Sequence, residues 1–436
     1  MQHSGRPPGR PRPRAERFPV AKRERFLGRC YLCLLCIFAS GRAGSLWAQT
    51  TASDTLHLSL ANVLARARAE HPVGRTSAAT ISAAKARAAA LRIYENPRLE
   101  IDRTTFRNLD NIRLVQSIRW PAEGRALGGI GRAQVASAQA EAAGRQGELA
   151  LDLAQRYTDA LRQARMVTLA VEAESLAQRA VERTLTARQL VQTGDLTVLE
   201  VQVSLDAARR GRRSAEAERD ASGAALAIML GDDPKRPVVF QDDLARLAPV
   251  HELDSLLTRA LAYDPESGRL ESEAERADKE VNLAHVRRWP QLEIGPAASI
   301  GETNTIGLSL GLSLPVWNRQ SDAMRAAAAD RDAALAQLEG RRRELAASVL
   351  EARTTLVRVE DELGLLRGGE LVRAQQATLL AGRALEQGGP YLSAWLTARQ
   401  AYLDARRAEL DLEWQAARAR LVLNYLAGAL SPEDAP

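Results

Sequence analysis

The side chains able to ligate metals or move protons are too scattered to do either. His57, His71, His251 and His285 fall at no helical ligand spacing. Cys30, Cys33 and Cys36 all lie within the first 48 residues, so the rest of the chain has no thiol for a disulfide, a nucleophile or a metal site. Met166, Met229 and Met324 form no thioether cluster of the kind that handles copper or silver. The run Glu360-Asp361-Glu362 reads as a solvated helix face rather than an acid/base pair. No phosphate loop and no nucleophile motif occurs. The sequence predicts a protein that is not an enzyme and needs no cofactor or metal.

What remains is the chemistry of surfaces. Ile306, Leu308, Leu310, Leu312 and Leu314 alternate with Gly307, Ser309, Gly311 and Ser313, the two-residue period of a strand. Leu292, Ile294, Pro296, Ala298 and Ile300 form a weaker partner run, and Gly301-Glu302-Thr303-Asn304 reads as the turn between them. An aliphatic face backed by small polar residues suits a hairpin with lipid on one side and water on the other. A soluble hairpin packed on a core would show a similar pattern.

A second copy of the stretch favours the membrane. Asn96-Pro97-Arg98-Leu99-Glu100-Ile101 matches Trp289-Pro290-Gln291-Leu292-Glu293-Ile294, and Ile112 through Pro121 matches Ile306 through Pro315. His71-Pro72 with Asp264-Pro265, and Gly231 with Gly428, recur at a similar offset of about 195 residues, too long for a solenoid unit. The predicted organisation is a first repeat over 49–230, with a hairpin at 98–119 and a long helix pair at 122–230. A linker over 231–250 follows, then a second repeat over 251–428, with a hairpin at 291–314 and a helix pair at 318–428. A tail covers 429–436. The first hairpin is the more polar; Arg103 and Gln116 share the pattern of Leu99, Ile101, Ile112, Leu114 and Ile118, and Asn108-Leu109-Asp110-Asn111 reads as its tip.

The chain of 436 residues carries a net charge of +6, which invites a nucleic-acid reading. Ten of the 60 basic residues but only two of the 54 acidic ones lie in residues 1–48, so the remainder is net −2 and no nucleic-acid partner is expected. Residues 1–48 read as a secretory signal: a basic segment precedes the apolar run Cys30–Ala39, which is too short to span a bilayer, and Ala48 precedes the expected cleavage point. No small residue precedes the cysteines as lipidation requires, so no lipid anchor is predicted. Translation is expected to begin at Val20, with residues 1–19 dispensable for export.

Helices account for most of the rest. Leu58 to Glu70 and Gly74 to Tyr94 read as helices leading into the first hairpin. Ala122 to Asp233 contains no proline and reads as two long helices broken at Thr193-Gly194-Asp195, the first of about 70 residues or ~100 Å. Pro390, in Gln387-Gly388-Gly389-Pro390-Tyr391, marks the matching break in the second half. Leu345, Val349, Ala352, Leu356, Val359, Leu363 and Leu366 step by fours and threes as a coiled-coil seam, and Leu153, Tyr157, Ala160, Ala164, Val167 and Val171 step similarly. Gly144, Gly147, Gly340 and Gly364 argue locally against helix.

Four strands cannot close a membrane barrel, because single-chain barrels begin at about eight, and open edges are not tolerated in lipid. Several chains must pool their hairpins. Trp120, Trp289 and Trp317 sit where strands meet helices, as interface aromatics of a membrane girdle or as ordinary packing at a corner.

The order helix, strand, strand, long helix, long helix, given twice, with Asn96-Pro97 and Trp289-Pro290 opening the hairpins and Leu314-Pro315-Val316-Trp317-Asn318-Arg319 closing the second, resembles the outer membrane efflux protein family typified by TolC. The resemblance covers residues 56–430. It implies a mostly α fold with transmembrane β: a homotrimer sharing one 12-stranded β-barrel, four strands per chain, above a long periplasmic α-helical barrel. It also implies an outer-membrane location and a periplasmic adaptor and inner-membrane pump, of the RND type, as partners. The activity implied is passive conduction of small solutes, heavy-metal cations or drugs, and the Leu314–Arg319 stretch is most similar to the heavy-metal exporter branch.

In that family the helix-turn-helix tips form the gate and adaptor contact, which by position are Gly194, Asp195, Leu196 and Thr197, and Gly389, Pro390, Tyr391, Leu392 and Ser393 here. Helix ending at Gly and capping by Asp195 or Ser393 would explain most of these residues without a partner. A ring of three Asp195 carboxylates would narrow a cation path. A periplasmic coiled-coil adaptor or scaffold is the rival reading, but an adaptor should show one helix pair beside a β-rich domain.

Overall fold

The computed structural model describes residues 55–104, 109–189, 195–247, 253–301, 303–314, 320–386 and 392–430, all within the second of two units, Ser53–Pro436. The first half runs β1 (Leu56–Leu58), α1 (Leu60–Glu70), α2 (Pro72–Ala90), β2 (Arg98–Thr104), β3 (Leu109–Ile118), α3 (Pro121–Gln189) and α4 (Asp195–Met229). The second runs β4 (Val238–Phe240), α5 (Leu253–Tyr263), α6 (Pro265–Val286), β5 (Gln291–Ile300), β6 (Thr305–Ser313), α7 (Ser321–Leu365), α8 (Leu371–Glu386) and α9 (Leu392–Leu426). Apart from the division of one long helical stretch into α7 and α8, the two halves run in the same order of elements.

Local chemistry sets the matching ends. Proline opens both α2 and α6, where its missing N–H costs nothing, and the side chains of His71 and Asp264 cap them from the preceding position. Helices α4 and α9 both stop at a glycine with positive φ, Gly231 at 76° and Gly428 at 66°. The next amide reaches back into the last turn, Asp232 N to Ala227 O and Ala429 N to Asn424 O, each at 2.8 Å. A side chain at either glycine would strain that left-handed turn.

Helix α3, at 69 residues, spans about 100 Å. It continues through Gly144 and Gly147, as α7 does through Gly340 and Gly364, against the local sequence expectation. Tertiary packing overrides propensity at Gly147, where an added Cβ would lie 3.2 Å from the Tyr425 ring. Helices α7 and α8 are not separated; a π-type turn, Leu366–Glu370, joins them.

The α7 seam is observed: Leu345, Val349, Leu356, Val359, Leu363 and Leu366 are buried in one cluster, with Ala352 against it. In α3 it holds only to Ala160. Val171 is exposed, and the buried positions become Leu161, Leu169, Ala173, Ala177 and Ala180. A straight helix drifts away from a heptad register, and α3 packs along its length on α2, α6, α9 and α4 in turn.

Two further expectations change. Leu58 lies in β1, which pairs in parallel with β4 in the register His57 to Val239. The stretch read as a linker over 231–250 thus supplies a strand and two fully buried leucines, Leu244 and Leu247, to a shared core with Leu58, Tyr157, Leu226 and Leu421. Asp242 fastens this clasp: its Oδ2 accepts from the Tyr157 hydroxyl and from Leu60 N, both at 2.7 Å. Burial, reinforced by the bond to Asp242, raises the Tyr157 phenol far above its ordinary pKa, so it stays a donor.

Candidate functional site

The four long strands form one antiparallel sheet in the order β2-β3-β5-β6. They are 7, 10, 10 and 9 residues long, near the ~9–11 that a tilted membrane strand needs. Among the described residues, β2 and β6 each have one unpaired edge. Leu109, Asp110 and Asn111, read as a turn, are strand residues paired with Thr104, Arg103 and Asp102. Arg103 and Asp110 face each other across this extension as an exposed ion pair at 3.4 Å.

The register sorts every side chain to one of two faces, because directly opposed residues point the same way. Leu99, Leu114, Pro296 and Leu308 share a row, and with them Ile101, Ile112, Ala298 and Ile306. This face is aliphatic, and its residues stand in the open: Ile306 is 90% exposed, and Leu308, Leu310, Leu312 and Leu314 are exposed too. The other face carries Arg98, Glu100, Asp102, Arg113, Ser117 and Glu293, alternating with the small residues of β6. Its charges pair with one another: Arg98 with Glu293 at 2.7 Å, and Arg113 with Asp102 at 2.6 Å and Glu100 at 3.4 Å. The polar first hairpin therefore keeps the two-faced design over most of its length; Arg103 and Asp110, at its far end, fall on the aliphatic side and pair with each other. Gln116 is on the aliphatic side, but its amide donates to Glu95 O and Ser117 O, both at 3.0 Å.

Where the two inner strands meet, Pro296 has no N–H to give. At neighbouring Gly295 an added Cβ would sit 1.5 Å from Leu114 O, so only glycine allows β3 and β5 to approach this closely.

At the junction with the helices, Trp120 and Trp289 meet edge to face with centroids 5.8 Å apart, and the Trp120 indole donates to Pro290 O at 2.9 Å. Arg119 lies over the Tyr94 ring at 5.4 Å and donates to Leu91 O and Ile93 O at the end of α2. Trp317, with the rest of 315–319, lies outside the described residues.

Gly194, Gly389, Pro390 and Tyr391 also fall outside the described residues. Asp195, Leu196 and Thr197 open α4, and Leu392 and Ser393 open α9. A carboxylate at Asp195 suits the positive end of α4. Leu392 is buried with Ala180, Val201 and Trp395, so the start of α9 packs on α3 and α4 and Leu392 is committed to that core. Leu196, by contrast, is 70% exposed, and Leu199 and Val203 continue the stripe outward. The i, i+3, i+7 spacing of those three residues was the available signal for the stripe. No group of three or more His, Cys, Asp or Glu among the described residues could hold a metal ion, and no helix among them is long and apolar enough to cross a membrane.

A mostly helical chain with this sheet has the fold of outer-membrane channel proteins. Residues 256–429 match the family model described as "Outer membrane efflux protein". Among solved structures, the chain superposes on the outer-membrane channel OprN with a TM-score of 0.70 at 17% identity, covering 85% of this chain and 90% of that one. The outer membrane protein VceC from Vibrio cholerae gives 0.69 at 15% identity, covering 85% and 96%. The MtrE outer membrane channel of Neisseria gonorrhoeae, solved in its open state, gives 0.67 at 16% identity, covering 86% and 90%. No curated protein matches the chain by sequence.

Proposed function

We propose that the chain is the outer-membrane channel of a tripartite efflux system, a member of the outer membrane efflux protein family that passively conducts small solutes, heavy-metal cations or drugs, from an inner-membrane pump to the exterior. The two-faced sheet with open edges at β2 and β6 carries this reading. Its aliphatic face is worth about 1.5–3 kcal/mol for each large side chain moved from water into hydrocarbon, and the paired charges opposite need water. One chain leaves two rows of unsatisfied backbone groups, which lipid does not tolerate. Joining β6 of one copy to β2 of the next, three times, closes 12 strands with the aliphatic face outward.

On this reading Trp120 and Trp289 mark the inner rim of the membrane, and the helices continue the wall into the periplasm. The tips at Gly194–Thr197 and Gly389–Ser393 form the gate and the seat of a periplasmic adaptor. Export by a signal over residues 1–48 and the absence of a lipid anchor belong to the same reading. Fractionation tests it against the adaptor or scaffold alternative: the protein should sediment with the outer membrane, need detergent for release, and appear by electron microscopy as a trimer with a central channel. Release by osmotic shock, or a solitary particle, overturns it.

A further inference from the structure

Arg399, on α9, is only 6% exposed, yet no carboxylate among the described residues pairs with it. Two half-buried guanidiniums are matched, Arg341 by Asp264 and Arg66 by Asp232, and so is the more exposed Arg367, by Glu409. One terminal nitrogen of Arg399 donates to Ser204 Oγ at 3.0 Å and the other to Ala173 O at 2.8 Å, while the buried Nε–H has no acceptor. The guanidinium carbon stands 5.8 Å from the centre of the Trp395 ring. Burial alone lowers the pKa of this side chain, with no neighbouring charge to offset it. Burying an ion without a counter-charge is unfavourable, and neutral acceptors and an aromatic ring offset only part of that.

The same residue lines a cavity of about 210 Å³ between α3, α4 and α9. Met166, Leu169, Ala173 and Leu403 give it apolar walls, and Arg407 adds a second guanidinium, itself 3.4 Å from Asp404. No carboxylate lines it. A cavity of about 150 Å³ accommodates benzene, so this one takes a slightly larger body. Chloride would leave the apolar walls uncovered, and phosphate is too strongly hydrated for them.

We propose that this cavity binds a small carboxylate carrying a single ring or a short alkyl chain, its charge beside Arg399 and its apolar body against Met166 and Leu169. The site is independent of whether the chain conducts.

The test uses the full chain in a non-ionic detergent, with 4-iodobenzoate quenching Trp395 fluorescence. Quenching should saturate, disappear in Trp395→Phe, and need at least ~10-fold more ligand in Arg399→Gln, the loss expected for one charge-assisted hydrogen bond. Ala208→Leu, which fills the cavity and leaves the charge in place, should abolish it; this variant decides the matter if Arg399→Gln fails to fold. 4-Iodobenzyl alcohol, with the ring but no charge, should bind at least ~10-fold more weakly. Quenching that never saturates, that survives Ala208→Leu, or that the alcohol matches overturns the proposal.

Discussion

Arg98 of the first hairpin reaches Glu293 of the second at 2.7 Å, passing the intervening strand at Ser117, whose hydroxyl also donates to Glu293 at 3.5 Å. The polar face of the sheet is thus a mutually neutralising set of two guanidiniums and three carboxylates, Arg98 and Arg113 against Glu100, Asp102 and Glu293. If it lines a pore, that pore should be weakly cation-selective. Glu293→Gln should reduce the preference and Arg113→Gln increase it. The shift should be read as a reversal potential in planar bilayers at about 10 mM salt, where the screening length is ~30 Å, and should fade at 1 M, where it is ~3 Å. Conducting channels whose reversal potential ignores both variants would place this face elsewhere.

Gly295→Ala and Gly307→Ala make a matched pair. The first drives a methyl group into Leu114 O, 1.5 Å away, whereas the second finds nothing within 4 Å. Separating β3 from β5 should cost about 3 kcal/mol or more and abolish heat-resistant oligomers on gels, while Gly307→Ala assembles normally. Equal behaviour of the two would refute the close approach.

Acid sensitivity should centre on Asp264. Burial works against its ionisation, but the two bonds from Arg341, each 2.9 Å, and those from Ser267 outweigh this and hold the carboxyl below its ordinary range. A depressed folded-state pKa means that the stabilisation is complete above the unfolded value, near 3.9, and is lost as pH falls through the folded value. Asp264→Asn should therefore lower stability by roughly 1–3 kcal/mol at pH 7, and the gap to the parent should narrow below about pH 4. Denaturant titrations at pH 7 and pH 3 measure it; a gap that widens in acid would contradict the assignment.

The tip stripe separates folding from partnership. Leu196 and Leu199 are exposed, so Leu196→Ser with Leu199→Ser should change stability by no more than about 0.5 kcal/mol each. Co-purification of a periplasmic adaptor should nevertheless fall several-fold. Undiminished capture would remove this stripe from the contact.

How far the sequence disclosed all this depended on the range of the contacts involved. The alternation Ile306 to Leu314 was visible because a strand's period is local, whereas the start of α2 was read at Gly74 and its cap at His71 was missed. The polar ladder was half visible: Arg98, Glu100 and Asp102 alternate with Leu99 and Ile101, but only the register with Glu293 turns a polar strand into a neutralised face. Strands β1 and β4, three residues each, carry no periodicity and exist through a pairing 182 residues apart. Val171 was misplaced because a seam drifts when α3 changes partners. At Arg399 the composition showed one more arginine in an arginine-rich helix, and its missing counter-charge emerges only from three helices together.

The Leu58 clasp also has a consequence in time. Residues His57 and Val239 are neighbours, and the cluster around them is completed by Leu410, Ala417 and Leu421. A polypeptide emerging from its first residue cannot shelter Leu56 and Leu58 until more than half of it has appeared, nor seal that cluster until almost all of it has. Completion of this core must therefore wait for the end of synthesis, with a greasy N-terminal segment kept from aggregating in the meantime.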